Sequence, residues 1–317
     1  MIKLSNGHRF EHMVASGALG FNGLGWPWER PLLWLRLLRP ELFTVVLRTL
    51  TLEPRLYPVS NLSWIRPWTW LPFSYWSCVK FLSGGSAVNK VGLYNPGFQW
   101  WVKKVGPKIN FKRYAIVASI QGTRDELVEM TVALDYFPLA GIEVNKSCPN
   151  SGHPLDDAQE VINTVKRLYR VSKHPIIVKV SVDQPYLLIA LGVAGFAEAI
   201  SINSVPWDTA FPGQASPMQH LGGGGGVSGP AAQALNWKAV RELAAQNALP
   251  VIGPSVMNYS DLVSVRQQGA RAISFGSIHL KTPCRPTAIV KKDLSMVSAE
   301  TGKDLYHVAS DNCPEMV

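Results

Sequence analysis

Residues 114–147 read YAIVASIQGTRDELVEMTVALDYFPLAGIEVNKS. An apolar, β-branched run (YAIVASI) gives way to a stretch of helical spacing (TRDELVEMTVALDYF), and then to a second apolar run (GIEVNKS). Neither apolar run alternates with polar residues, so each reads as a strand buried on both faces. Two such strands with a helix between them form a βαβ unit of a parallel sheet. Outward from this unit the rhythm repeats. Downstream come the strand-like runs PIIVKVS, AEAISINS, LPVIGPS and ARAISFGS, separated by the helical stretches DAQEVINTVKRLYR, QPYLLIALGVA, AAQALNWKAVRELAAQ and YSDLVSVRQQG. Upstream, HMVASGALG and LFTVVLRTLTL supply two earlier strands. Thr123, Asp156 and Ser260 are the expected helix caps. Eight strands alternating with helices predict a (β/α)8 TIM barrel in preference to an open doubly wound sheet. The chain is expected to be a single domain over residues 1–317.

One stretch breaks the rhythm. Residues 57–84 read YPVSNLSWIRPWTWLPFSYWSCVKFLSG. Its prolines forbid a long helix, so a loop or short hairpin is expected.

Composition bounds the rest. Of 317 residues, 47% are hydrophobic and 17% charged, an ordinary globular balance. The start, MIKLSNGHRFEHM, lacks the apolar run of a signal peptide. Arg36 interrupts the longest apolar stretch, so no membrane span is expected. Cys78, Cys148, Cys284 and Cys313 form no CxxC and no zinc spacing, which points to free thiols in a reducing, cytoplasmic setting. The net charge of +9 favours anionic ligands. The basic residues are scattered, so nucleic acid is not the expected partner.

In a parallel barrel, functional side chains gather where strands end. Here the predicted ends carry Ala15, Ser16 and Gly17; Arg48 and Thr49; Asn145 and Cys148; Lys179; Asn203 and Ser204; Gly253; and Gly276 with Ser277. The run HLGGGGGVSGP, from His220 to Pro230, precedes a helix and offers backbone N–H groups to an anion. With Gly253 and Gly276 it marks a phosphate corner. Lys179 lies inside an apolar strand and must meet an anion or an electron-rich acceptor there. A salt bridge, a Schiff-base nucleophile and a cation beside a cofactor are all compatible with that position. Cys148, between asparagines and before a proline, is ill placed for a packed core. As a nucleophile it would want an activating base, and His153 is near in sequence. As a general base it needs only a proton to take, acting best at alkaline pH because thiols titrate near ~8.5.

Several of these motifs, in this order, resemble the FMN-dependent dihydroorotate dehydrogenases. The resemblance runs from Ala15 to about Ser277 through ASGALG, RTLTLEPR, VNKVGLYNPG, NKSCPN, VKVS, INS, GGGVSGP and SFGS. It implies an FMN cofactor and a pyrimidine substrate. Cys148, a cysteine as in class 1, would remove a proton from C5 of dihydroorotate while hydride leaves C6 for the flavin. It implies substrate contacts at Asn89, Val91, Gly92, Leu93, Asn145, Asn150, Asn203 and Ser204. Flavin contacts would be Ala15, Ser16, Gly17, Arg48, Thr49, Asn145, Lys179, Ile202, Ser228, Gly229, Gly253, Gly276 and Ser277. A homodimer is the assembly it implies. Departures from the family pattern are Arg48 for a lysine, Lys146 for an apolar residue, Pro254-Ser255 for a glycine pair, and the tryptophan-rich insertion. That insertion is a candidate for peripheral membrane contact, since Trp and Tyr favour interfaces. Two other functions fit parts of the pattern: an aldolase-type lyase using Lys179, and a non-catalytic FMN-binding paralogue.

Overall fold

A computed structural model describes residues 1–55, 77–148, 155–202 and 205–301. Most of the tryptophan-rich insertion therefore lies outside the described residues, as do Asn150, His153, Asn203, Ser204 and Cys313. Eight parallel strands close into a barrel: β1 (His12–Val14), β2 (Thr44–Val46), β3 (Ala115–Ile120), β4 (Gly141–Asn145), β5 (Ile176–Val180), β6 (Ala199–Ile202), β7 (Val251–Gly253) and β8 (Ala272–Phe275). Each strand pairs with the next, and β8 pairs with β1. The opening stretch of sequence is β3, the helix Arg124–Leu134 and β4, with Ile120 in register with Val144.

Strand residues are buried on both faces because the barrel has two cores. Met13, Val46, Val117, Ile177, Ala199, Ile252 and Ala272 pack together with Ile2, Leu4 and Phe10 of the N-terminal hairpin. That hairpin closes the end of the barrel where the strands begin: Asn6 donates to the Ala140 carbonyl, and Ser5 donates to the Glu198 carboxylate. Val14, Val45, Ile116, Ile142, Val178 and Ile200 instead face the surrounding helices.

The helices match the predicted segments, with two corrections at their starts. Thr123 does cap Arg124–Leu134 through a reciprocal box with Glu126. The cap of Ala158–Tyr169 is Asp157, which accepts from Glu160 N at 2.8 Å; the Asp156 carboxylate is drawn to Lys146. The cap of Tyr259–Gln267 is Asn258, accepting from Asp261 N at 2.9 Å, while Ser260 sits inside the first turn and donates to the Asn258 side chain. Among the described residues the periodicity also leaves helices unannounced, the longest being Phe98–Lys104 and Arg285–Thr301.

A small antiparallel sheet forms from Val79–Phe81, Ala87–Asn89, Gly226–Ser228 and Val205–Pro206. It pairs Val79–Phe81, at the end of the insertion, with Ala87–Asn89 and carries Asn89 and Ser228 to the barrel mouth; the loop or short hairpin expected over 57–84 lies mostly outside the described residues. Among the described residues Cys78, Cys148 and Cys284 form no disulfide. No helix among them is long and apolar enough to cross a membrane.

Candidate active site

At the end of the barrel where the strands finish, a cavity of about 160 Å3 opens to solvent. Its walls come from separate segments. Ala15, Ser16, Gly17 and Ala18 follow β1; Arg48 and Thr49 follow β2; Asn145, Ser147 and Cys148 end β4; Lys179 stands in β5; Gly276, Ser277 and Leu280 follow β8. Asn89, Val91, Gly92, Leu93 and Ser228 complete it from the small sheet and its turn. The β-strand rule that functional side chains gather at one rim thus brings together most of the residues expected from sequence.

Beneath the cavity lies a buried polar network. Lys179 and Glu143 point into the barrel from neighbouring strands, with Nζ 3.5 Å from Oε1 and both side chains almost fully buried. The Ser119 hydroxyl donates to the same Glu143 oxygen at 2.8 Å. Ser119 meets Thr49 at 2.8 Å, Thr49 meets Ser16 at 2.9 Å, and the Asn145 amide donates to Thr49 at 2.9 Å. Asn145 Oδ1 in turn accepts from the backbone N and hydroxyl of Ser147, which fixes the turn into Cys148. Buried polar groups cost heavily when unpaired, so this chain of bonds holds each side chain at one angle. Of the three readings of Lys179, the salt bridge is the one the geometry contains. Ser119 and Glu143 were not anticipated as part of the site. Their signal was a polar residue inside an otherwise apolar strand, the same signal that singled out Lys179.

Arg48 sits at the cavity wall with only 9% of its surface exposed. Its Nε donates to the Tyr94 carbonyl at 3.0 Å, and its guanidinium lies 5.7 Å from the Phe21 ring and 5.9 Å from the Trp26 ring. A lysine could not make the same set of contacts, because it lacks the planar group that stacks on rings.

Three expected flavin residues do not line the cavity. Ile202 is fully buried in the outer core. Gly253 faces the helix layer, where a Cβ would come within 2.6 Å of Val265. Gly229 has φ +84°, and a Cβ there would meet Ser86 Cα at 3.1 Å, so chain packing alone requires glycine. The glycine run is spent mainly on local structure as well: Lys90 Nζ donates to the Gly223 carbonyl at 2.6 Å, and Gly226 enters the small sheet. After β7, Ser255 takes the left-handed conformation at φ +67°. The Pro254 carbonyl accepts from Trp237 and the Ser255 hydroxyl from Asn236, so this turn is tied to the helix Pro230–Gln246. Asn150, Asn203 and Ser204 are outside the described residues.

Comparison with known proteins agrees with this arrangement. Residues 79–297 match the family described as dihydroorotate dehydrogenase. The catalytic subunit of dihydroorotate dehydrogenase B (NAD(+)) from Caldicellulosiruptor saccharolyticus is 34% identical over 209 residues, covering 63% of this chain and 69% of that protein. The same-named subunit from Desulforudis audaxviator is 33% identical over 226 residues, covering 68% of this chain and 73% of that protein. The one from Geobacter sulfurreducens is 26% identical over 208 residues, covering 63% and 68% respectively. The family match begins after β2, yet the loops of β1 and β2 close the same cavity that the matched residues open. A parallel eight-stranded barrel, the placing of Asn145, Ser147 and Cys148 at the cavity and a family match over most of the chain lead to one assignment: this chain belongs to the dihydroorotate dehydrogenase family.

Proposed function

We propose that this chain oxidises dihydroorotate to orotate, with Cys148 as general base and FMN as the electron acceptor. The observation that supports it most directly is the convergence of Cys148, Asn145, Lys179 and Asn89 on one cavity from three segments of the chain. The family is flavin-dependent, and the residues suit a flavin. Ala15, Gly17, Gly276 and Ser277 are small and leave room for a flat ring. The buried ammonium of Lys179 offers a fixed positive charge to an electron-rich ring edge. The flavin supplies the acceptor for hydride, a chemistry no side chain provides.

The protein's own work is binding, orientation and proton removal. Substrate oxidation takes a hydride from C6 and a proton from C5; in this proposal the proton goes to Cys148 Sγ, which must first be a thiolate. Asn89 and Asn145 present amides that both donate and accept, matching a ring with alternating N–H and C=O groups. Val91, Gly92 and Leu93 would contribute backbone groups near the carboxylate, and Arg48 a charge. Asn150, Asn203 and Ser204 complete the proposed substrate set; Ser228, Gly229, Gly253 and Ile202 remain part of the proposed flavin set through their backbone. Lys179 Nζ is already engaged by Glu143 Oε1 at 3.5 Å and is not presented as an unencumbered nucleophile, so the lyase reading is not favoured.

The test is a visible spectrum of the purified protein followed by anaerobic addition of dihydroorotate. The expected result is a yellow protein that bleaches. Cys148→Ala should stay yellow and bleach at least about 100-fold more slowly, the lower end of what a general base contributes. A colourless protein, or a variant bleached at the wild-type rate, overturns the proposal.

The relatives named catalytic subunits of an NAD(+) enzyme imply a partner subunit, and we extend that to this chain: a second protein would carry electrons from the flavin to NAD(+). A homodimer of single-domain barrels in a cytoplasmic setting belongs to the same proposal, as does membrane contact through residues 57–84.

A further inference from the structure

Lys146 is a buried charge at the end of β4, and its surroundings explain it. Its backbone N donates to the Lys179 carbonyl at 2.9 Å, so residue 146 still holds the barrel register. Side chains alternate along a strand; Asn145 points into the cavity and Lys146 points away from it. There Nζ lies 2.6 Å from the Asp156 carboxylate and 3.3 Å from the Gly122 carbonyl, and the lysine side chain is only 5% exposed. Asp156 is joined in turn to the next loop, where Gln184 Nε2 donates to its carbonyl at 2.9 Å and Gln184 Oε1 accepts from Ser181 N at 2.9 Å. One buried ammonium therefore joins the segments that follow β3 and β4, and Gln184 extends the link to the segment that follows β5.

We propose that Lys146 is a positioning residue: its ion pair with Asp156 and its bond to the Gly122 carbonyl anchor the strand end Asn145–Cys148 and fix the direction in which the Cys148 thiol faces the cavity. Cys148 lies inside the span between the paired residues, two positions from Lys146. The inference rests on the reading of Cys148 as the base. An apolar side chain at 146 would fill the space without linking anything. A buried ammonium must meet its acceptors, and that requirement admits one arrangement of Gly122 and Asp156. On the cavity side, Asn145 holds Ser147 by two hydrogen bonds. The turn into Cys148 is thus gripped from both faces of the strand end.

The experiment compares the alkylation of Cys148 and Cys284 by iodoacetamide, followed by mass spectrometry on the purified protein, in wild type, Lys146→Met and Asp156→Asn. Lys146→Met keeps the length and removes the charge. Asp156 is 35% exposed, so Asp156→Asn tests the same link should the first variant fold poorly. Both variants are expected to raise Cys148 alkylation at least about fivefold by loosening the loop, with Cys284 unchanged. Unchanged Cys148 reactivity, or a parallel rise at both cysteines, overturns the inference. This readout needs neither substrate nor turnover, so it stays decisive if dihydroorotate fails to bleach the wild type. With turnover present, kcat should fall in both variants while KM holds, since the substrate amides are untouched.

Discussion

Glu143 shows how much depends on single side chains at this rim. It receives the Lys179 ammonium and the Ser119 hydroxyl in a place almost without solvent. Glu143→Ala should therefore cost roughly 3 to 5 kcal/mol of stability, the scale for stranding one buried charge. Urea unfolding of the variant against wild type measures it, and a loss below 1 kcal/mol would mean that water already relieves Lys179. Arg48 has a different role, since it faces the cavity and is braced by Tyr94, Phe21 and Trp26. Arg48→Met should raise KM for dihydroorotate by about 10- to 100-fold, as expected for losing a charge-assisted hydrogen bond. Steady-state kinetics on the flavin-loaded variant checks this; an unchanged KM places the substrate carboxylate elsewhere.

Among the elements, the helix Ala158–Tyr169 shows what local rules can and cannot tell. The sequence offers two aspartates in a row, and the first, Asp156, is the expected cap. Asp157 caps it instead, while Asp156 reaches across to Lys146, a residue remote from any helix signal. Asp157→Ala should cost about 1 kcal/mol, the usual value of an N-cap, and should leave Cys148 reactivity unchanged. Urea midpoints and thiol labelling on that variant separate capping from loop positioning. The same limit explains the small sheet over the barrel mouth: its strands of two or three residues are too short to carry a period, so only their long-range pairing defines them.

For the molecule as a whole, acid stability follows from two groups. Burial pushes His279 down to about 3, and neither ring nitrogen has a hydrogen-bond partner among the described residues. The folded protein holds it neutral, while the unfolded chain takes up a proton below about 6.5. Its contribution is therefore complete above that value and is lost as pH falls towards 3, by up to about 1.4 kcal/mol per pH unit. Burial raises Asp293, but hydrogen bonds from His12 and Arg266 outweigh it and leave the carboxyl at about 2. The Arg266 guanidinium grips both Asp293 oxygens at 2.7 Å and ties the helix Arg285–Thr301 to the helix Tyr259–Gln267, while His12 Nε2, 2.7 Å from Asp293 Oδ2, ties it to β1. That contribution is present above an ordinary aspartate's value near ~3.9 and disappears as pH falls towards 2. Urea midpoints should fall between pH 6.5 and 4.5 in wild type, and His279→Leu should flatten that fall. Equal slopes in the two proteins would show that His279 takes no part.

The sequence by itself determined the barrel and the residue types at its rim. Continuous apolar strands alternating with helices admit few architectures, and the motifs ASGALG, NKSCPN and VKVS state their chemistry in adjacent residues. Only the tertiary structure decided which of those residues meet. It separated Gly253 and Gly229, needed for packing, from Gly17 and Gly276 at the cavity. It joined Lys179 to Glu143, and Lys146 to Asp156 and Gly122. The physical reason is that periodicity records which face of a strand or helix is buried, a local property. The partner of a buried charge is set by barrel closure and register, which bring together groups distant along the chain.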